Sequence, residues 1–373
     1  MTAHRQPLAP RLPLQPQTIR RLDFALKGLL VAGAITLLVA AAIAVFSSES
    51  DQIGFDLRAG YLPAAEAVRD GDSPYADPDD PALDLRRAYV YPPQLAIGLV
   101  PLSWLPSDLA AFLVFLAAIA ALLGAVALVG VRDVRCYAAV LLWAPTWNSL
   151  DTLNVSAALA LGVALVWRFR STLWPLAATL GAMVSVKLFL WPLLIWVAFV
   201  RRPLAAILAA AIGLVLAFGS WAAIGFAGLG DYPELLSKVG DQENYSIVAV
   251  AEESGLGPVG AVLALLVGGA LLVAAVWSWR SGQEVGSFTL AAAACLALSP
   301  VMWLHYLTLL IAPLGLARPR FSALWLLPIV LWVSPRDENG EGLHPFVPMV
   351  VVVVLIGLLV ARPRSEPALE ARS

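Results

Sequence analysis

Asp56 is the first residue in this chain whose type and setting suit chemistry. It stands in Ile53-Gly54-Phe55-Asp56-Leu57, ten residues past the end of a long apolar run. A carboxylate among hydrophobic neighbours is partly desolvated, which raises its pKa toward the range useful to a general base. Its other possible uses are as a solvated loop acid or as the N-cap of a helix through Leu57–Arg69, and Asp51 is a competing acid at the same height. Lys187 lies in Met183-Val184-Ser185-Val186-Lys187-Leu188-Phe189-Leu190-Trp191, where an ammonium is costly and therefore a candidate for function. As the lone cation of its region it suits a phosphate, held as a point charge, although snorkelling to an interface is the alternative. His305, in Ser299-Pro300-Val301-Met302-Trp303-Leu304-His305-Tyr306, is either a partner in proton transfer or a hydrogen-bonding bridge between helices.

Other polar patches accompany these three, and the knuckle at 148–154 stands out with Lys187 and His305 because it too lies at membrane depth. Ala88-Tyr89-Val90-Tyr91-Pro92-Pro93 reads as a rigid aromatic ledge, of the kind that lines sugar and lipid sites and also forms interfacial belts. Gly71-Asp72-Ser73-Pro74-Tyr75 reads as a turn closing a short helix. A polar knuckle runs from Asn148 through Asp151 and Thr152 to Asn154, and Gln242-Glu243-Asn244-Tyr245-Ser246 offers amides and a hydroxyl to sugar hydroxyls. No His/Cys/Asp cluster has metal-ligand spacing, so no metal is expected. No Walker motif occurs, which disfavours an ATP-driven pump, and no cofactor is expected. Cys136 and Cys295 lie in apolar runs and suggest neither a disulfide framework nor a metal cluster.

The elements that must position these groups are membrane spans. With 60% hydrophobic and 13% charged residues and a mean hydropathy of +0.81, the chain reads as an all-α polytopic membrane protein. The expected spans are 24–46, 108–130, 136–150, 152–168, 173–187, 188–200, 203–226, 257–279, 286–301, 303–317, 321–334 and 346–361. Uncertain breaks put the total between about ten and thirteen. The first run is too long for a signal peptide and lacks a small-x-small exit, so it reads as a retained anchor. Residues 93–106, interrupted by prolines, read as a short helix dipping into the outer leaflet. The pairs 136–150/152–168, 173–187/188–200 and 286–301/303–317 are too short for straight crossings and read as tilted, broken or re-entrant helices. Such backbone survives at membrane depth where it is buried in protein or lines a wet cavity.

Placing the N-terminus in the cytoplasm puts 17 of 24 basic residues, but only 5 of 26 acidic ones, on the cytoplasmic side. Both termini are then cytoplasmic, and loops 47–107 and 227–256 face outward. The first of these is acidic, with ten carboxylates against four arginines over residues 47–92. Tails at 1–23 and 362–373 flank one transmembrane domain at 24–361.

In this order, the early loop Asp, Gly71-Asp72-Ser73-Pro74-Tyr75, Tyr91-Pro92-Pro93, Lys187, the Gln242/Asn244/Ser246 loop and Ser299-Pro300-x-x-Trp303-x-His305-Tyr306 resemble glycosyltransferase family 87. The family belongs to the GT-C superfamily, which includes polyprenyl-phosphate-mannose-dependent mannosyltransferases of actinobacteria. The resemblance implies a GT-C-type bundle in the plasma membrane, a polyprenyl-phosphate-linked hexose donor and an extracytoplasmic active site. It also implies inversion at the anomeric carbon and an acceptor that is a glycolipid or a cell-envelope glycan. It assigns catalysis to Asp56 and His305. Donor or acceptor contacts are expected from Tyr75, Tyr89, Tyr91, Asn154, Lys187, Gln242, Asn244, Ser246, Trp303 and Tyr306. The loop reading Gln242-Glu243-Asn244-Tyr245-Ser246 departs from the tighter Asn-Gln-Ser of relatives. No nucleic-acid partner is expected. A secondary transporter or lipid-linked-sugar flippase is the rival from another class, since broken helices with an intramembrane Lys and His suit it too. A structural or assembly protein is the third reading.

Overall fold

The computed structural model describes residues 16–46, 53–77, 80, 88–200, 202–240, 244–257, 259–333 and 346–361. Among these residues every regular element is helical. In chain order the α-helices are α1 (Pro16–Val45), α2 (Leu62–Asp70), α3 (Pro93–Leu99), α4 (Ser107–Leu128), α5 (Val134–Leu142), α6 (Ala144–Thr152), α7 (Ser156–Arg168) and α8 (Leu173–Val186). They continue as α9 (Pro192–Phe199), α10 (Pro203–Ala223), α11 (Tyr232–Gly240), α12 (Ile247–Glu253), α13 (Val259–Arg280), α14 (Glu284–Ala297), α15 (Ile311–Ala317) and α16 (Phe346–Val360). A π-helical turn, Asp56–Tyr61, leads into α2, and 3-10 stretches occupy Val100–Trp104, Leu188–Leu190, Leu304–Leu310 and Ala323–Val333.

This is an all-α polytopic membrane protein. Helices Arg20–Val45, Ser107–Leu128, Pro203–Ala223 and Val259–Arg280 are long and apolar enough to cross a membrane. Large apolar side chains such as Val215 and Phe218 on α10 and Leu265, Leu266 and Val273 on α13 lie exposed, as lipid-facing surfaces require. The interior is packed around Phe115, Trp143, Trp196, Phe288 and Trp325, all fully buried.

Each expected span coincides with a helical segment, and the departures have local causes. The span expected at 136–150 is two helices, because Trp143 takes an extended conformation ahead of Pro145, and its indole donates to the Trp325 carbonyl at 2.7 Å. The span at 321–334 is 3-10 rather than α-helical and carries Pro328 inside it. The segment at 93–106 forms α3 followed by a 3-10 turn at Pro101.

A close helix crossing joins α8 to α10. A Cβ on Gly181 would lie 2.6 Å from the Ala209 carbonyl oxygen and 2.9 Å from the Ile212 Cβ, while one on Gly213 would lie 3.2 Å from the Gly181 oxygen. Glycine here lets two backbones touch, the packing that apolar solvent favours in place of hydrophobic burial. Gly181→Val is therefore expected to destabilise the fold by at least about 1–3 kcal/mol. Thermal unfolding in detergent checks this, and Gly213→Ala is expected to be the milder change. An unmoved midpoint in Gly181→Val contradicts the crossing.

Candidate active site

Helix breaks converge on one cavity of about 970 Å³. The first is at Lys187, which leaves the helical conformation (φ −137°, ψ 98°) between α8 and the turn Leu188–Leu190. The Ser185 carbonyl next to this break accepts a hydrogen bond from Gln94 Nε2 of α3, and Gln94 Oε1 accepts from Ser220 Oγ of α10 at 2.8 Å. The second break follows α6, where Leu153 is left-handed (φ 53°) and Asn154 Oδ1 accepts from the Ser156 amide at 2.8 Å to start α7. The third is the irregular stretch between α14 and the 3-10 turn at Leu304, which brings Ser299, Trp303, His305 and Tyr306 to the cavity wall.

Asp56 reaches the same wall from the loop after α1. Gly54 adopts φ +81°, and an added Cβ would lie 3.0 Å from Leu153 Cδ1, so glycine allows the loop to approach the second break. Arg58 then ties this turn to its neighbours. It donates to the carbonyls of Ile53 and Val45 and to Ser107 Oγ, each at 3.1 Å, and pairs with Asp108 at 2.8 Å. The turn itself is π-helical, a geometry that often marks functional positions. Asp56 is only half-buried, because the cavity admits solvent, but protein encloses it on most sides. Burial pushes its carboxyl up to about 6; Lys187 opposes that rise and Asp151 adds to it.

Lys187 is held by aromatic rings. Its Nζ donates to the Tyr306 hydroxyl and stands 4.5 Å from the Tyr91 ring centroid and 4.6 Å from that of Tyr306. Phe189 stacks on Tyr306 at 4.7 Å with the rings 3° from parallel, and Tyr61 meets Tyr91 edge-on at 5.2 Å. His305 is buried, and its Nδ1 lies 2.9 Å from Asn148 Oδ1. A carboxylate, an ammonium and an imidazole thus share one cavity. The carboxylate is placed to take a proton, and the ammonium to receive developing negative charge.

Of the residues singled out from sequence, Asp56, Tyr91, Lys187, Trp303, His305 and Tyr306 line the cavity. Tyr75, Tyr89, Asn154, Asn244 and Ser246 are not among its lining residues, and Gln242 lies outside the described residues. Their hydrogen bonds tie them to the surrounding backbone. The Tyr89 hydroxyl donates to the Pro92 carbonyl at 2.6 Å and accepts from the Ala96 amide at 3.0 Å, closing the Tyr-Pro-Pro turn. The Tyr75 hydroxyl donates to the Tyr91 carbonyl at 2.9 Å, and its ring stacks on Trp221. Asn154 caps α7; Ser246 Oγ caps α12 by accepting from the Ala249 amide at 3.1 Å. Asn244 Oδ1 accepts from the amides of Ser246 and Met302 at 2.9 and 3.2 Å, pinning the third break from behind.

Asn148 and Thr152 of the polar knuckle line the cavity, although contacts were expected from Asn154 alone, and sequence reasoning passed over Trp221 and Tyr232, which line it too. Asn148 and Thr152 are four apart and share a helical face, a spacing that separates them from Asn154 beyond the break. Trp221 and Tyr232 carried no such signal, since aromatic residues near the ends of apolar helices also form belts.

Comparison with protein families finds a match to glycosyltransferase family 87 over residues 89–303, more than half of the chain. The match covers Tyr91, Asn148, Lys187 and Trp303, while Asp56 precedes it and His305 follows it by two residues. Neither the comparison with curated proteins nor that with solved structures finds a match.

Proposed function

The chain belongs to glycosyltransferase family 87 and is a membrane glycosyltransferase, and we propose that it moves a hexose, mannose in our reading, from a polyprenyl-phosphate carrier to an extracytoplasmic glycolipid or cell-envelope glycan. The observation that carries the donor class is the polarity of the cavity. Asp56, Lys187, His305 and Tyr306 supply charged and polar groups to its wall, while Ala210, Gly213, Leu214 and Ala217 of α10 and Leu188 supply apolar lining, and the side chains of Leu188 and Leu214 are exposed. An amphiphile with an anionic head and a long apolar tail fits that mixed lining.

In the reaction proposed, the acceptor hydroxyl oxygen attacks the anomeric carbon from the face opposite the phosphate, and Asp56 takes the hydroxyl proton. The bond from the anomeric carbon to the phosphate oxygen breaks, and its electron pair leaves on polyprenyl phosphate. Attack opposite the leaving group inverts the anomeric centre, as in other single displacements with a base across the sugar. The leaving phosphate gains a negative charge, which Lys187 is suited to stabilise. The chain's own charge distribution supports an orientation with both termini cytoplasmic, loops 47–107 and 227–256 outside and a single domain at 24–361 in the plasma membrane.

Membranes containing the protein are expected to transfer label from radiolabelled polyprenyl-phosphate-mannose to endogenous acceptors. The same assay with polyprenyl-phosphate-glucose and -arabinose reads sugar choice. Movement of the labelled lipid across the bilayer without formation of a new glycoside overturns the proposal in favour of a flippase.

A further inference from the structure

We infer that Asn148 is a positioning residue that holds the His305 imidazole in one tautomer, so that the ring meets substrate as a hydrogen-bond acceptor. The inference rests on the transferase reading above for what the acceptor face does, but not for the tautomer itself.

Asn148 lies on α6 and His305 on the 3-10 stretch Leu304–Leu310, two elements that meet at the cavity wall. The Asn148 Oδ1 is 2.9 Å from His305 Nδ1. An amide oxygen can only accept, so Nδ1 carries the hydrogen. The neutral ring then has its lone pair on Nε2. Among the described residues no protein group hydrogen-bonds Nε2, and the ring lines the cavity. The backbone is held as well, because Thr308 Oγ1 donates to the His305 carbonyl at 2.7 Å. The ionisable groups around the ring are Lys187 and Tyr306 beside it, Asp56 and Tyr91 on the cavity wall, and Asp151 on the same helix as Asn148.

The consequence is a division of labour. In this tautomer His305 cannot donate through Nε2 to a phosphate oxygen, which leaves the leaving group to Lys187. It can accept from a sugar hydroxyl, orienting that hydroxyl or passing its proton on. Nothing in the motif around His305 indicates this, because the partner that sets the tautomer comes from a different helix pair.

The test uses full-length protein with ¹⁵N-labelled histidine. The chain has three histidines, and the His305 resonances are identified by their loss in His305→Gln. Wild type is expected to show the Nδ1–H form, and Asn148→Leu a shift away from it. In transfer assays Asn148→Leu is expected to lower kcat about 10- to 100-fold, the scale seen when a partner that orients a functional histidine is lost. Asn148→Asp keeps an acceptor opposite Nδ1 and is expected to keep the hydrogen on that nitrogen. An Nε2–H form in wild type overturns the inference, as does an Asn148→Leu spectrum that superimposes on wild type. The tautomer is read without substrate, so failure of every sugar donor would sink the proposed donor and leave the spectroscopic result standing.

Discussion

Asp56→Asn is expected to remove sugar transfer, lowering kcat about 10²–10⁴-fold, while the protein still folds and its unfolding midpoint does not fall. Asparagine fills the same space on the π-helical turn but cannot take a proton. The turn does not depend on the carboxylate, since its anchors are the Gly54 amide on the Asp151 carbonyl and the four contacts of Arg58. Burial raises the Asp56 carboxyl to about 6 against an ordinary 3.8. The folded protein therefore binds this proton more tightly than the unfolded chain does. Holding the group ionised at neutral pH costs about 3 kcal/mol, a cost that fades as pH falls through 6 toward 3.8. Asparagine removes that cost, so thermal stability at neutral pH should hold or rise.

The same shift sets the pH dependence. A base must be ionised, so wild-type kcat/KM should climb through about pH 6 and level off above it. Transfer that survives in Asp56→Asn at the wild-type rate would remove Asp56 as the proton acceptor and turn attention to His305 and Asp51.

Lys187→Met should cost about 10²–10³-fold in kcat, comparable to losing one strong donor at a developing charge. A sugar phosphodiester carries one negative charge and the departing phosphate monoester carries two, so an ammonium beside it gains attraction as the bond breaks. The fall in kcat should therefore exceed the rise in donor KM. Methionine keeps the length and apolar stem, leaving Tyr306 without its ammonium partner. Lys187→Arg is not expected to rescue activity. The Nζ sits between the Tyr91 and Tyr306 rings at 4.5 and 4.6 Å, a slot for a compact cation rather than a planar fork. A variant with raised KM and unchanged kcat would make Lys187 a binding residue that contributes nothing specific to the transition state.

The sequence by itself determined the membrane class, most of the segmentation into helices and the breaks near 151, 187 and 302, though not the one at Trp143. Each follows from local chemistry: apolar length, proline, and the cost of leaving a charge or an amide at membrane depth. Asp56, Lys187 and His305 stood out for that reason, because each is a polar group in an apolar stretch. What local chemistry could not supply was the side to which a polar group turns. Asn148 and Asn154 belong to one polar run, yet the left-handed Leu153 between them sends the first to the cavity and the second to the cap of α7. Asn244 and Ser246 were expected as sugar ligands, and the structure shows their oxygens accepting from backbone amides of α12 and of Met302, whose loop comes from a distant part of the chain. Tyr89 and Tyr91 differ by two residues, but only Tyr91 faces the cavity and Lys187, since the Tyr89 hydroxyl is committed to its own turn. Only the tertiary structure decided these cases, because a buried amide or hydroxyl must find a partner, and which partner lies within reach depends on helix phase and on segments far away in sequence.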